Sequence, residues 1–454
     1  MKLQSVNPAT EELLGEFPGM TFETALEWTK KARAAQKSWS QKSIQQRCVF
    51  LKNLAKALRS HLEESSKLMT LEMGKPIGQS RLEVEKCAWL CDFYAEAASG
   101  FLAEELVKTD AKKSYVRFDP LGVVLCIMPW NFPFWQVFRF AAPALAAGNT
   151  VVLKHASNVP QCALKIEEIF REAGLDEGIF KTLLIDSATA SRLIETDTID
   201  AVSLTGSTQA GALVAQQAGK NLKKCVLELG GSDPFIVLAD ADVEFSCKIA
   251  LQARTINTGQ SCIAAKRFIL EKSIAAEFEK KLIEHFKTLK IGDPMDPDVN
   301  IGPLAKKEIR DDLYGQVKDA ISKGAKVLAG GKSMPGKGYF FEPTLLTNIT
   351  PNMAVYMEET FGPVMSLFIV ENADEALRLA NNSEFGLGAS IWTKNIELAE
   401  KMAAQIESGA VFINGMVKSD PRLPFGGVKK SGFGRELGKF GIREFVNIKT
   451  VVVN

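Results

Sequence analysis

With 454 residues, 46% of them hydrophobic, the chain is long enough for about three domains of roughly 150 residues each, with large buried cores. Lys plus Arg (55) balances Asp plus Glu (54), which excludes a global field drawing the chain to nucleic acid or to an acidic membrane surface. Three isolated histidines (61, 155 and 285) and eight cysteines without a CxxC pair speak against a His-rich metal site, a Ser-His-Asp hydrolase and a disulfide framework, so metal-free chemistry is expected.

In chain order, residues 1–12 are mixed in polarity and lack the apolar h-region of a secretory signal, which points to a cytoplasmic protein. From about 23 to 99 the pattern is helical, with Leu51, Leu54, Leu58 and Leu62 recurring at three- and four-residue steps. Residues 115–118 read as a short strand, followed by the turn Asp119-Pro120-Leu121-Gly122. The apolar region 123–153 is interrupted by Pro129, Pro133, Arg139 and Pro143, leaving no clean membrane-spanning run of about 20 residues. Apolar runs at 123–128, 150–153, 181–185, 201–204, 225–229 and 235–238, with amphipathic segments between several of them, predict a mainly parallel α/β sheet. A second α/β series is expected from about 243 to 430, with a strand at 410–413. The tail 445–453 reads as a strand placed to pair with another subunit's sheet, which suggests a homodimer or homotetramer.

Chemistry concentrates at a few points. The polar, turn-prone approach Asn257-Thr258-Gly259-Gln260 suits an accessible sulfur at Cys262, although a lone cysteine is more often a buried hydrophobe. Glu228, in Glu228-Leu229-Gly230-Gly231, offers a carboxylate base. A thiolate adds to a carbonyl carbon, and a carboxylate can later deprotonate the water that cleaves the thioester. In Pro129-Trp130-Asn131-Phe132-Pro133, two prolines stiffen the backbone around an amide that can donate to an oxyanion together with the Cys262 N–H; a structural turn is the alternative. No GxGxxG follows a strand. Thr205-Gly206-Ser207, with Gly211 one turn on, is either an ordinary strand-to-helix turn or a phosphate site at a helix N-terminus. Arg139, in an apolar stretch, needs a carboxylate partner from the fold or from a ligand.

These motifs, with Glu359-Thr360-Phe361-Gly362-Pro363 and Pro424-Phe425-Gly426-Gly427, resemble the aldehyde dehydrogenase superfamily over nearly the whole chain. The resemblance implies an α/β fold with a Rossmann-type cofactor domain (1–112 and 121–230), an α/β catalytic domain (231–430) and a small β oligomerisation element (113–120 and 431–454). It implies Cys262 as nucleophile, Glu228 as general base and Asn131 as oxyanion donor. Trp130, Lys154, Gly206, Ser207 and Gly211 then belong to the pyrophosphate side, and Glu359 and Phe361 to the nicotinamide ribose and ring. NAD-preferring members commonly carry a glutamate where Ser157 stands in Lys154-His155-Ala156-Ser157. A hydroxyl and a nearby lysine suit a 2′-phosphate, so NADP is expected over NAD.

Arg139 and Ser419 match residues with which succinate-semialdehyde dehydrogenases hold the substrate carboxylate. A second arginine of that subgroup is replaced by Ile256, with Arg254 nearby, and its occasional partner cysteine by Ala264, which argues against a local disulfide switch. The implied reaction is NADP-preferring oxidation of succinic semialdehyde to succinate through a cysteine thiohemiacetal and thioester. The alternatives are a dehydrogenase of another carboxylated or simple aldehyde, a cofactor-free cysteine hydrolase, or a non-catalytic protein of the same fold.

Overall fold

The computed structural model describes residues 1–454. An N-terminal hairpin, Lys2–Val6 against Leu13–Pro18, leads into four helices, Phe22–Gln41, Ile44–Ser60, Leu62–Met73 and Ile77–Phe101. Their breaks follow local chemistry. Ser43 and Gln46 form a reciprocal capping box that restarts the chain after Gln41, and Gly74 closes the third helix in a left-handed conformation. Leucines 51, 54 and 58 are fully buried on the second helix, which packs against the fourth helix and against helices Trp135–Ala146 and Pro160–Glu172.

Two sheets carry the architecture. The first runs in the spatial order Gly432–Phe433, Lys224–Glu228, Ala201–Thr205, Val123–Met128, Thr150–His155, Phe180–Thr182, and is parallel except for its first, two-residue strand. Val123–Met128 and Thr150–His155 are almost wholly buried, as near-continuous apolar strands covered on both faces should be. From Val123–Met128 the chain builds outward to one side, then returns to the other with Ala201–Thr205. Strand order therefore reverses between these two, and a crevice opens beyond their carboxyl ends.

The second sheet orders Lys326–Ala329, Thr344–Thr347, Val364–Val370, Arg267–Glu271, Pro234–Val237, Gly388–Trp392 and Ala410–Ile413, all parallel beyond the antiparallel first pair. Segments leaving the first sheet at 129–131, 206–207 and 229–230 meet segments about to enter the second at 262 and 359–361 around one groove. A third sheet, Val446–Val453, Lys113–Pro120 and Glu105–Leu106, stands apart with Ile448, Val452 and Val453 exposed. No helix is long and apolar enough to cross a membrane.

Candidate active site

Cys262 is delivered by a strained loop. After helix Val243–Thr255 the backbone of Asn257, Thr258 and Gly259 is left-handed three times in succession, at φ 51°, 56° and 76°. A β-branched residue rarely adopts this conformation, so the surroundings must hold it. Thr258 Oγ1 accepts from the Gly302 amide at 3.0 Å, the Asn257 amide donates to Gln79 Oε1 at 2.6 Å, and Gln260 Oε1 accepts from the Ala305 amide at 2.8 Å. A Cβ on Gly259 would collide with the Gly362 carbonyl, which fixes glycine there.

The 129–133 segment is tied to the same loop. Asn257 Nδ2 donates to the Asn131 carbonyl at 2.6 Å, and Asn131 Nδ2 donates to the Gln260 carbonyl at 3.1 Å. Behind it, Glu83 Oε1 accepts from the amides of Phe134 and Trp135, both at 2.9 Å, anchoring the start of helix Trp135–Ala146. Glu83 is in turn paired with fully buried Lys75, whose ammonium lies 3.8 Å from the Phe132 ring centroid. Sequence reasoning did not single out this Lys75–Glu83 pair, because nothing local marks two charged residues in an amphipathic helical region as buried.

Two cavities meet at the sulfur. A groove of about 660 Å³ is lined by Trp130, Asn131, Gly206, Ser207, Glu359 and Phe361 among others; a smaller cavity of about 170 Å³ lies beside Lys86, Trp135, Arg139, Phe425 and Ser419. Cys262 is the one residue common to both linings. Burial pushes its thiol up to about 12, opposed by the Arg139 and Lys266 cations. Lys266 Nζ donates to the Ser261 and Cys262 carbonyls at 3.0 and 2.8 Å and lies 3.1 Å from Glu359, whose carboxylate accepts from the Gly231 amide at 3.1 Å.

Glu228 ends strand Lys224–Glu228 with both carboxyl oxygens buried and free of protein hydrogen bonds. Burial holds its carboxyl well above the usual range; Arg139 opposes this and Glu436 reinforces it. A Cβ on Gly426 would lie 2.5 Å from Glu228 Oε1, so the glycine makes room for the acid. A thiol at the junction of two cavities, an amide donor beside it and a buried acid with no structural hydrogen bond together form a set able to carry acyl chemistry on sulfur.

The aldehyde dehydrogenase family matches residues 1–451. The chain belongs to this family. It is 53% identical over 454 residues, covering 99% of both chains, to a protein of Synechocystis sp. named probable succinate-semialdehyde dehydrogenase [NADP(+)]. It is 48% identical over 447 residues to the succinate semialdehyde dehydrogenase [NAD(P)+] Sad of Escherichia coli K12, covering 98% of this chain and 97% of that one. Among solved structures, the succinic semialdehyde dehydrogenase of Streptococcus pyogenes in complex with NADP+ superposes with a TM-score of 0.97 at 39% identity, covering 99% of both chains. The expected fold class and membership of an enzyme family hold.

Within this family member, Trp130 and Phe361 meet edge to face at the groove wall, their centroids 5.7 Å apart. Ser207 caps helix Thr208–Lys220 by accepting from the Ala210 amide at 3.2 Å. Gly211 packs beneath Leu229, where a Cβ would come within 2.5 Å, and lies outside the groove lining. Lys154 is half-buried on strand Thr150–His155, with Ser157 exposed in the turn that follows. Burial and Lys306 lower the Lys154 ammonium, so Lys306 is a second cation near this end that motif reading missed.

On the small-cavity side, Arg139 is buried, paired with Glu436, 3.3 Å from Thr205 Oγ1 and stacked over Phe425. The carboxylate partner required by its burial is thus supplied by the fold. Arg254 donates to the carbonyls of Ala265, Thr360 and Gly362, bracing the 359–363 segment; Ile256, not Arg254, lines the cavity. His155 accepts from the Ala156 amide through Nδ1 at 2.8 Å and donates to the Pro133 carbonyl through Nε2 at 2.9 Å, and burial lowers it to about 4. Both its nitrogens are committed, which removes it as a base for a hydrolase reading.

Proposed function

We propose that this enzyme oxidises succinic semialdehyde to succinate with NADP preferred over NAD. The observation that carries the reading is the position of Cys262, alone shared between a groove of about 660 Å³ and a small cavity lined by Lys86, Arg139 and Lys418. The names of the relatives, at 48–53% identity over nearly full length, support both substrate and cofactor.

The chain's own residues fit a dinucleotide. The groove crosses the strand-order reversal, the Ser207-capped helix opens at its wall, and Gly230 leaves room for Glu359 Oε2, 2.5 Å from where a Cβ would stand. Lys154, Lys306 and the Ser157 hydroxyl suit a 2′-phosphate. When bound, the nicotinamide supplies the hydride acceptor.

In this reading, the Cys262 thiol loses its proton to water in the groove, its sulfur bonds to the aldehyde carbon, and Asn131 Nδ2 and the Cys262 amide donate to the resulting alkoxide. Oxidation leaves a thioester. Glu228 takes the proton of the attacking water, succinate departs and the thiol is regenerated. We assign the cofactor domain to 1–112 and 121–230, the catalytic domain to 231–430, and an oligomerisation element to 113–120 and 431–454. The exposed apolar residues of strand Val446–Val453 support a homodimer or homotetramer, and eight unpaired cysteines suit a reducing, cytoplasmic setting.

The test is steady-state kinetics of succinic semialdehyde with NADP and with NAD, followed by reduced-nicotinamide absorbance. The expected result is a higher kcat/KM with NADP and loss of turnover in Cys262→Ala. Undiminished turnover in that variant, or equal rates with uncharged aldehydes, would reject the reading.

A further inference from the structure

Stability alone does not account for burying Lys75 with Glu83. Both side chains are buried, Lys75 completely, and a buried ion pair gains little over apolar residues of similar volume. What the pair adds is an acceptor fixed at one place. Helix Trp135–Ala146 has no side-chain cap of its own at Phe134, and the Phe134 and Trp135 amides both donate to Glu83 Oε1, 51 and 52 residues back in the chain. Glu83 Oε2 is held by the Lys75 ammonium, which also packs on the Phe132 ring. The Pro133 carbonyl between them accepts from His155 Nε2 at 2.9 Å, so every residue from 132 to 135 is gripped from outside its own segment.

We propose that Glu83, held by Lys75, is a positioning residue that sets the Asn131 amide where the oxyanion develops, an assignment that rests on the oxyanion role proposed for Asn131 above. Asn131 has a fixed point on each side. Residues 132–135 are held by Lys75 and Glu83, while its own carbonyl accepts from Asn257 Nδ2 at 2.6 Å, and the Asn257 amide donates to Gln79 Oε1 at 2.6 Å. Gln79 and Glu83 stand four residues apart, one turn of helix Ile77–Phe101, so their acceptors keep the nucleophile loop and the oxyanion segment in one register. The turn that bears Lys75 is itself seated on the 294–303 loop. Gly74 is left-handed there, where a Cβ would lie 2.7 Å from the Pro303 ring, and the Ile77 amide donates to the Pro294 carbonyl at 2.8 Å.

The Asn131 side chain is buried, with Nδ2 on the Gln260 carbonyl and Oδ1 free of protein hydrogen bonds. The backbone on either side therefore decides where Nδ2 points when it leaves that carbonyl for the alkoxide. A misplacement of about 1 Å costs about 10²-fold in rate, and complete loss of such a donor about 10²- to 10³-fold. The cost falls on the transition state, so kcat and kcat/KM drop together while KM holds. Alkylation of the Cys262 sulfur by iodoacetamide builds no oxyanion and does not sense the donor.

The experiment compares Lys75→Met/Glu83→Gln with Lys75→Met/Glu83→Met, nearly isosteric variants that differ in the acceptor offered to the Phe134 and Trp135 amides, each with and without Asn131→Ala. Oxidation of succinic semialdehyde is followed by reduced-nicotinamide absorbance, alkylation of Cys262 by mass spectrometry and the fold by circular dichroism. The expected result in Lys75→Met/Glu83→Met is a kcat about ten- to hundredfold below wild type, with KM and the alkylation rate within about twofold. Lys75→Met/Glu83→Gln should recover most of that kcat. On the Asn131→Ala background the two should differ by less than about twofold, because the donor being positioned is gone. An unchanged kcat in Lys75→Met/Glu83→Met, an equal loss on both backgrounds, a parallel loss of alkylation or failure of that variant to fold overturns the assignment and leaves Asn131 its role. An Asn131→Ala enzyme as fast as wild type overturns the oxyanion reading and the assignment with it.

Discussion

Replacing Arg139 by methionine tests whether its first duty is to the fold or to the substrate. In the structure its guanidinium pairs with Glu436 and opposes the burial of Glu228 and Cys262. Removing it leaves Glu436 buried without its partner and takes from Glu228 its largest cationic influence, and breaking a buried pair from one side costs about 3–5 kcal/mol. For 454 residues at about 2.1 cal/mol/K each, the unfolding entropy is about 1 kcal/mol/K, so Tm should fall by about 3–5 °C. The cost has a sign in pH. Unpaired Glu436, held up by burial, can shed its charge only by binding a proton, so the variant should lose more stability at pH 8 than at pH 6. Arg139→Met/Glu436→Leu removes both charges and should recover most of the loss, because an apolar pair of similar volume can replace a buried ion pair. Calorimetry on the ligand-free protein provides the readout. A Tm within 1 °C of wild type (well below the expected shift), with the damage confined to KM for succinic semialdehyde, would refute the structural role.

Ser157→Glu sets a carboxylate against the 2′-phosphate; at water's dielectric and a roughly 5 Å separation, each like-charge pair costs about 0.8 kcal/mol, so KM for NADP should rise roughly tenfold while that for NAD changes little. Equal changes for the two cofactors, measured in one kinetic series, would remove Ser157 from cofactor selection. In the ligand-free enzyme, alkylation of Cys262 by iodoacetamide should accelerate about tenfold per pH unit from pH 7 to 10, because a thiol held at about 12 keeps gaining thiolate throughout that range. With the Cys262→Ala background subtracted, a plateau near pH 8.5 (the value for an ordinary thiol) would contradict the effect of burial.

The parts of the fold legible in the sequence are those whose signal is local. The buried runs at 123–128, 201–204 and 235–238 form strands because a strand covered on both faces must be apolar at every position. The run 181–185 misleads: Phe180–Thr182 alone pairs, while Leu183 and Ile185 are buried without extending the strand. The helical reading of 23–99 is right in type, but it misses the interruptions at 42–43, 61 and 74–76, where caps and a left-handed glycine override the periodicity. The hairpin at Lys2–Val6 is invisible because its strand is short and half polar. At the site, motif spacing picks out Cys262 and Asn131, and the structure ties their loops together. No local signal pairs Arg139 with Glu436 or Lys86 with Ser419, 333 residues away. Those pairings arise only when the two sheets are brought together.

The charges around the sulfur constrain how the site must work. Lys75 pairs with Glu83 and Arg139 with Glu436, while Lys86 and Glu228 have no ion-pair partner. Burial raises the carboxyl of Glu228, with Arg139 opposing and Glu436 reinforcing the shift. Glu228 can act as a base only after giving up its proton, and Arg139 is the strongest cationic influence favouring that step. Arg139, paired with Glu436 in the ligand-free protein, thus favours the anionic form that Glu228 needs when water attacks the acylated sulfur.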